Sequence, residues 1–291
     1  PKHPKRVFVG SVTDMFHEQV PFEYIAALFA VMAATPWVTY QLVTKRPERM
    51  LEWFRWTAEH PCKVMKDSAA FYGLGGELDF DKLYAAPWPL PNVHLLTSTE
   101  NQETFDERIP HLLACPAVVH GISAEPLLGP IDMGLDRWVR TGPWPDGTFI
   151  VVRTDRPRSF RVDPDFRPEP TQLALRWVIA GGESGPGARP CDAEWIRDLH
   201  RQTVAANTVA ACAAGRHTAF FPKQLGSLAF DLVHGVVGAR VKPAKLLVGR
   251  RLKDSHGGDE SEWAPDLQGL RAFPIPAQLT PAQRRHLGLP A

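Results

Sequence analysis

The chain has 291 residues, 44% hydrophobic and 22% charged, which excludes a wholly disordered polypeptide and suffices for one large α/β domain or two small ones. Its 33 basic and 32 acidic residues leave a net charge of +1, excluding a global polyanion-binding field while leaving room for a local basic groove. The sequence has no apolar run of about 18 residues and no basic-plus-apolar leader, so neither a membrane span nor secretion is expected and the cytoplasm is.

In chain order, Arg6-Val7-Phe8-Val9-Gly10-Ser11-Val12 predicts a buried strand. Residues 21–34 predict a helix with Ile25, Leu28, Phe29 and Met32 at helical spacing. Residues 39–44 are the second strand, followed by a helix over 48–59 carrying Met50, Leu51, Trp53 and Phe54. Pro47 opens that helix at a first-turn position, where its missing N–H costs nothing. Residues 61–91 show no clear period, contain Gly73, Gly75, Gly76, Pro87, Pro89 and Pro91, and read as an irregular excursion. The third strand is 93–98, the next helix 103–113 and the fourth strand 117–123. Residues 131–174 read as an insertion with a small hairpin around Phe149-Ile150-Val151-Val152. Residues 176–180 are the fifth strand, Asp192 is expected to cap a helix over 193–206, and 217–221 are the sixth strand. Residues 227–291 form an irregular C-terminal extension.

Strands alternating with helices imply βα units and a parallel sheet, and strands apolar throughout imply burial on both faces. The expected fold is therefore α/β, a single TIM-type (β/α) barrel, closed or partial, with a doubly wound open sheet as the alternative.

Polar residues come directly after every strand. Asp14 and His17 stand after the first, Lys45 and Arg46 after the second, Glu100 after the third, and Glu125 after the fourth. Gly181-Gly182-Glu183-Ser184 succeeds the fifth and Lys223-Gln224 the sixth. In parallel α/β folds the carboxyl ends of strands are where ligands bind, so these residues are expected to share one polar pocket. Asp14, Glu100 and Glu125 are the candidate catalytic carboxylates. Gly181, Gly182, Glu183 and Ser184 are candidates for cofactor binding through backbone N–H groups and a carboxylate. Lys45, Arg46, Ser98, Ser123, Lys223 and Gln224 are the candidate substrate ligands. Each has a plainer alternative: Asp14 as a turn cap, Glu100 and Glu125 as members of an ion network, the glycines as steric necessities.

Other chemistries are disfavoured. Cys62, Cys115, Cys191 and Cys212 lack the short spacing of a zinc or iron–sulfur site. His17, His94, His111, His120 and His217 show no metal-ligand spacing, and neither a Gly-x-Ser-x-Gly elbow nor a paired-His helix motif occurs. The segment Lys253-Asp254-Ser255-His256-Gly257-Gly258-Asp259 has the composition of a phosphate or cation turn, and equally of a tight surface turn.

The stretches VFVGSVTDMFHEQVP, YQLVTKRPERM, STENQ, RIPHLLACPAVV, SAEPLLGPID, WVIAGGESGPGARP, FFPKQLG and LKDSHGGDESEWAPDL run in order along almost the whole chain. They resemble the bacteriophage-associated three-cysteine-motif family of largely uncharacterised radical S-adenosylmethionine-like proteins. The family pattern is altered at Leu96, where a smaller residue is usual, and at Leu225, where an aromatic is usual. The resemblance implies S-adenosylmethionine and a [4Fe-4S] cluster held by a cysteine motif upstream of the first strand seen here. This sequence begins at Pro1, after that point, so either it is a fragment lacking the cluster loop and first βα unit, or it is complete and holds no such cluster. The resemblance further implies reductive cleavage of S-adenosylmethionine to a 5′-deoxyadenosyl radical, with a nucleotide or nucleic-acid-related phage substrate and a partner protein. The alternatives are a cluster-independent base-exchange or glycosyl-transfer barrel using Asp14, Glu100 or Glu125, and a non-catalytic nucleotide-binding protein.

Overall fold

The computed structural model describes residues 5–141, 150–155, 171–172, 174–208, 211, 217–231, 236–237, 250–251, 253–256, 258–274 and 281–286. Phe149, Cys212 and Gly257, and most of the predicted insertion beyond residue 141, lie outside them.

The elements in chain order are β1 (Lys5–Val9), α1 (Phe22–Ala34), β2 (Val38–Thr44), α2 (Pro47–Thr57), α3 (Pro61–Phe71), α4 (Phe80–Ala85), β3 (Val93–Ser98), α5 (Gln102–Ala114) and β4 (Val119–Ala124). Then come β5 (Trp138–Thr141), β6 (Ile150–Arg153), β7 (Thr171–Gln172), β8 (Trp177–Gly181), β9 (Cys191–Asp192), α6 (Ala193–Ala206), β10 (Ala219–Gln224), β11 (Ala229–Asp231), β12 (Val236–Val237) and β13 (Arg250–Arg251). The main sheet has six strands in the order β1-β2-β3-β4-β8-β10, parallel at the β1–β2, β2–β3, β4–β8 and β8–β10 pairings. Among the described residues β1 and β10 are not paired with each other. β3 and β8 are buried at every residue, the signature of strands covered on both faces, but the prediction of a buried strand over 6–12 is corrected: β1, the end strand of the sheet, stops at Val9 and leaves Val7 and Phe8 exposed. Among the described residues no helix is long and apolar enough to cross a membrane.

The chain divides into two units, Pro1–Thr97 with Arg108–His120 and Pro276–Ala291, and Ser98–Glu107 with Gly121–Ile275. In the first, α1 and α2 keep to the predicted pattern. Phe29 packs against Trp53 in a tilted pair at 4.3 Å between ring centroids, and Trp53 is fully buried. Truncating so large a core side chain costs about 3–5 kcal/mol. Asn92 ties the end of α1 to the start of β2, its Nδ2 donating to Met32 O (2.9 Å) and Val38 O (3.0 Å).

The reading of 61–91 as an irregular excursion is corrected. The segment forms α3, with Pro61 in its first turn, and α4, whose cap Asp79 accepts a hydrogen bond from Lys82 N. The buried stripe of α3 is Met65, Ser68 and Ala69, helically spaced but with one bulky apolar side chain among small ones, too faint for a hydrophobic period to reveal.

In the second unit, Asp192 caps α6 by accepting from Glu194 N at 2.9 Å. The insertion contributes the antiparallel sheet β6-β5-β7, and β13-β12-β11-β9 forms a further small sheet absent from the sequence reading. Within the C-terminal extension, Trp263, Ala264 and Leu267 are buried, so part of that segment belongs to the core of this unit.

Candidate functional site

Each unit carries its own group of the predicted site residues. In the first, β1 gives way at Gly10 to a turn that delivers Asp14. Its Oδ1 accepts from Phe16 N (2.9 Å) and the Thr44 hydroxyl (2.8 Å), and its Oδ2 from Lys45 N and Arg46 Nη1, both at 3.0 Å. Thr44 Oγ1 in turn accepts from Arg46 N at 2.9 Å. Lys45 and Arg46 at the start of α2 suit an anion, and Asp14 is itself an anion at that place, with four donors around it.

The second unit brings the ends of several strands to one level. Ala124 of β4 and Pro222 of β10 both pair with Ala180 of β8, and Gln224 pairs with Gly181. Lys223 is skipped in this register, so it forms a bulge. Glu125, next after Ala124, therefore falls on the rung of Gly181 and Gln224. Thr99 N donates to Ser123 O and Leu128 N to Glu100 O, setting residues 98–100 alongside the end of β4.

Glu125 is the centre of this rung. Its Oε2 accepts from the Ser123 hydroxyl at 3.0 Å. Its Oε1 lies 3.3 Å from Lys223 Nζ, an ion pair between a side chain 15% exposed and one 57% exposed. The approach is not aligned as a hydrogen bond, and Oε1 is buried without a hydrogen-bond partner. Two glycines make the arrangement possible. A Cβ on Gly181 would stand 2.7 Å from Glu125 Oε1, and one on Gly182 would stand 2.1 Å from Leu225 O. Gly182 and Gln224 are clasped together, Gly182 N donating to Gln224 O (3.0 Å) and Gln224 Nε2 to Gly182 O (2.8 Å).

Glu183 leaves the same turn and meets a partner the sequence reading missed. Arg189 N and Nε donate to its Oε2 at 2.8 Å each, and Arg189 Nη2 to Oε1 at 3.0 Å. The hydrogen bonds to Glu183 raise the Arg189 pKa, and the charge of Glu100 adds to the effect. Arg189 lies six residues downstream of Glu183, with no periodic element between to announce the pairing. Glu100 and Ser98 are both buried. Ser184 sits in the turn after Glu183, partly exposed.

The described cysteines do not suit an iron–sulfur cluster. Cys115 and Cys191 are buried, and Cys62, Cys115 and Cys191 are all free thiols. Burial pushes the Cys115 thiol far above its ordinary range and that of Cys191 up to about 12, the reverse of a thiolate ligand. Among the described residues no group of three His, Cys, Asp or Glu side chains could hold a metal ion.

In the segment predicted as a phosphate or cation turn, Asp254 gathers the described backbone around its own carboxylate. Asp254 accepts from His256 N, Gly258 N and Asp259 N at 3.0, 2.5 and 2.9 Å, so these three backbone donors are taken. These bonds hold the Asp254 carboxyl below the usual carboxylate range.

No curated protein and no solved structure matches the chain. The sequence model of a family described as a protein of unknown function, DUF5131, matches residues 1–257, and the chain belongs to that family.

Proposed function

We propose that the protein is an enzyme on a partial TIM-type (β/α) barrel, of the radical S-adenosylmethionine type, modifying a nucleotide or nucleic-acid-related substrate in the cytoplasm. The observation that carries an enzymatic reading is Glu125. It is a carboxylate at a strand carboxyl end, with one oxygen shielded from water, no hydrogen bond to that oxygen, and a lysine 3.3 Å away. Around it, Ser123 donates to its second oxygen, Gly181 lies beneath it, and Lys223 and Gln224 stand at the end of the neighbouring strand, a set suited to a polar ligand. The radical type and its S-adenosylmethionine rest on the resemblance of the sequence motifs alone. The described cysteines do not fit the cluster. The work assigned to these residues is to bind, orient and exclude water.

Glu125 also favours a second reading, a cluster-independent group transfer. Glu125 would attack the anomeric carbon of a nucleoside as the bond to its base breaks, and the Lys223 ammonium would give its proton to the departing base. Calorimetric titration of S-adenosylmethionine and of AMP tests both readings. One of the two ligands should bind, and Glu125→Gln should weaken it about tenfold, the loss of one charged contact. Failure of both ligands to bind, or equal affinity in Glu125→Gln, refutes the site. A charge-transfer band after anaerobic reconstitution with iron and sulfide, on the gene product including any residues that precede Pro1, supports the radical type. Nucleotide turnover that needs Glu125 and no iron supports the second reading.

A further inference from the structure

The bulge at Lys223 breaks the ladder of an edge strand, which should leave its carbonyls to water. A segment beyond the family match covers them instead. Ala272 N donates to Phe220 O at 2.8 Å, and Trp177 Nε1 donates back to Ala272 O at 3.2 Å. Arg271 then takes two further carbonyls of β10. Its Nε donates to Pro222 O at 3.1 Å, and its Nη2 to Lys223 O at 2.8 Å and Gly258 O at 3.0 Å.

The guanidinium is itself held from several sides. It lies 5.0 Å from the ring centroid of the buried Trp263 and 5.7 Å from that of Phe221, and Glu260 pairs with it at 3.4 Å. Trp263 is anchored in the core, and Asp266 on the same segment is bound by the buried Arg197 at 2.5 Å. A planar fork with five donors can serve three carbonyls that point in different directions, which an ammonium on a flexible stem cannot do in one geometry.

We propose that Arg271 is a positioning residue. It fixes the backbone of the bulge, and through it holds Lys223 beside Glu125 and Gln224 on the rung of Gly181. Residues 258–271, outside the matched 1–257, thus act as a strap that completes the site. The inference rests on reading that rung as the ligand site, and the test separates the two. Lysine ¹³C-methylation and side-chain amide ¹⁵N spectra of the full chain report Lys223 and Gln224, assigned with Lys223→Arg and Gln224→Glu. In Arg271→Ala both resonances should move toward the values of free side chains, and affinity for S-adenosylmethionine or AMP should fall about tenfold, one charge-assisted hydrogen bond's equivalent. Arg271→Lys, which keeps charge and stem, should restore less than half of either change. A folded Arg271→Ala protein, judged by circular dichroism, with both resonances unmoved overturns the proposal. Should that variant not fold, unmoved resonances in Arg271→Lys overturn it equally. Moved resonances with unaltered ligand affinity support the strap and refute the rung as the ligand site.

Discussion

Adding one methyl group to the end of β8 tests the geometry of the rung. In Gly181→Ala the new Cβ would lie 2.7 Å from Glu125 Oε1, 3.1 Å from Gln224 O and 3.3 Å from Gln224 Cγ. Gly181 has no positive φ, so the backbone tolerates alanine and the strain is purely steric. The backbone oxygen cannot retreat without stretching the Gly182–Gln224 clasp, so Glu125 must give way. Overpacking of this kind costs about 1–3 kcal/mol. Chemical denaturation monitored by tryptophan fluorescence measures it, with Gly129→Ala as control, where nothing lies within 4 Å of the added Cβ. The control should stay within about 0.5 kcal/mol of the parent. The decisive quantity is the double-mutant cycle with Glu125→Ala. Once the carboxylate is gone, only the milder contacts with Gln224 remain, so the cost of Gly181→Ala should fall by about 1 kcal/mol. An equal cost in both backgrounds would mean that Glu125 does not rest over Gly181, and the proposed site would lose its centre.

Three further outcomes are expected. Asp192→Ala removes the acceptor for Glu194 N and should destabilise the protein by about 1 kcal/mol in the same denaturation assay, whereas Asp192→Ser should recover most of it. Asp14→Asn leaves two donors facing an amide and should cost about 1–3 kcal/mol with little effect on ligand affinity, since Asp14 is bound by Phe16 N, Thr44, Lys45 N and Arg46; calorimetry showing the reverse would make it a ligand residue. His94 gives the pH dependence. Burial, with a contribution from the Arg6 charge, lowers its pKa from 6.5 to about 4. The unfolded chain therefore binds the extra proton first as pH falls, so this contribution to stability is full above 6.5 and is lost progressively toward 4. The whole loss is about 3 kcal/mol, and His94→Gln should flatten the slope of stability against pH in that window. A slope unchanged by the substitution refutes the assignment.

Most of the main sheet was legible because its strands are short apolar runs, but the apolar run over 6–12 is misleading, since β1 is Lys5–Val9 and its Val7 and Phe8 are exposed. The predicted 93–98 is β3, and the predicted 176–180 differs from β8 by one residue at each end. Asp192 was legible because a capping side chain is a local signal. α3 was not, because its buried face is made of small residues. The clasp between Gly182 and Gln224, the Glu183–Arg189 pair and the strap at Arg271 were also hidden, for a different reason. Each depends on a turn or on a contact between distant segments, and neither has a period. The candidate residues themselves were named from their place after the strands. What sequence could not supply was which of the carboxylates is already satisfied.

That distinction decides where chemistry can occur. Asp14 receives four hydrogen bonds, Asp254 takes three backbone N–H groups, and Glu183 is gripped by the backbone and guanidinium of Arg189. Each serves as a built-in anion for its own turn, and removing it would cost the local structure before it changed any reaction. Glu125 differs. One of its oxygens is met by Ser123, while the other is shielded from water and has only the unaligned lysine beside it. Burying a carboxylate oxygen without a donor is unfavourable unless a ligand or substrate supplies one. Of these four carboxylates, Glu125 is the one whose hydrogen bonding the fold leaves unfinished, and the glycine beneath it keeps room for that arrangement.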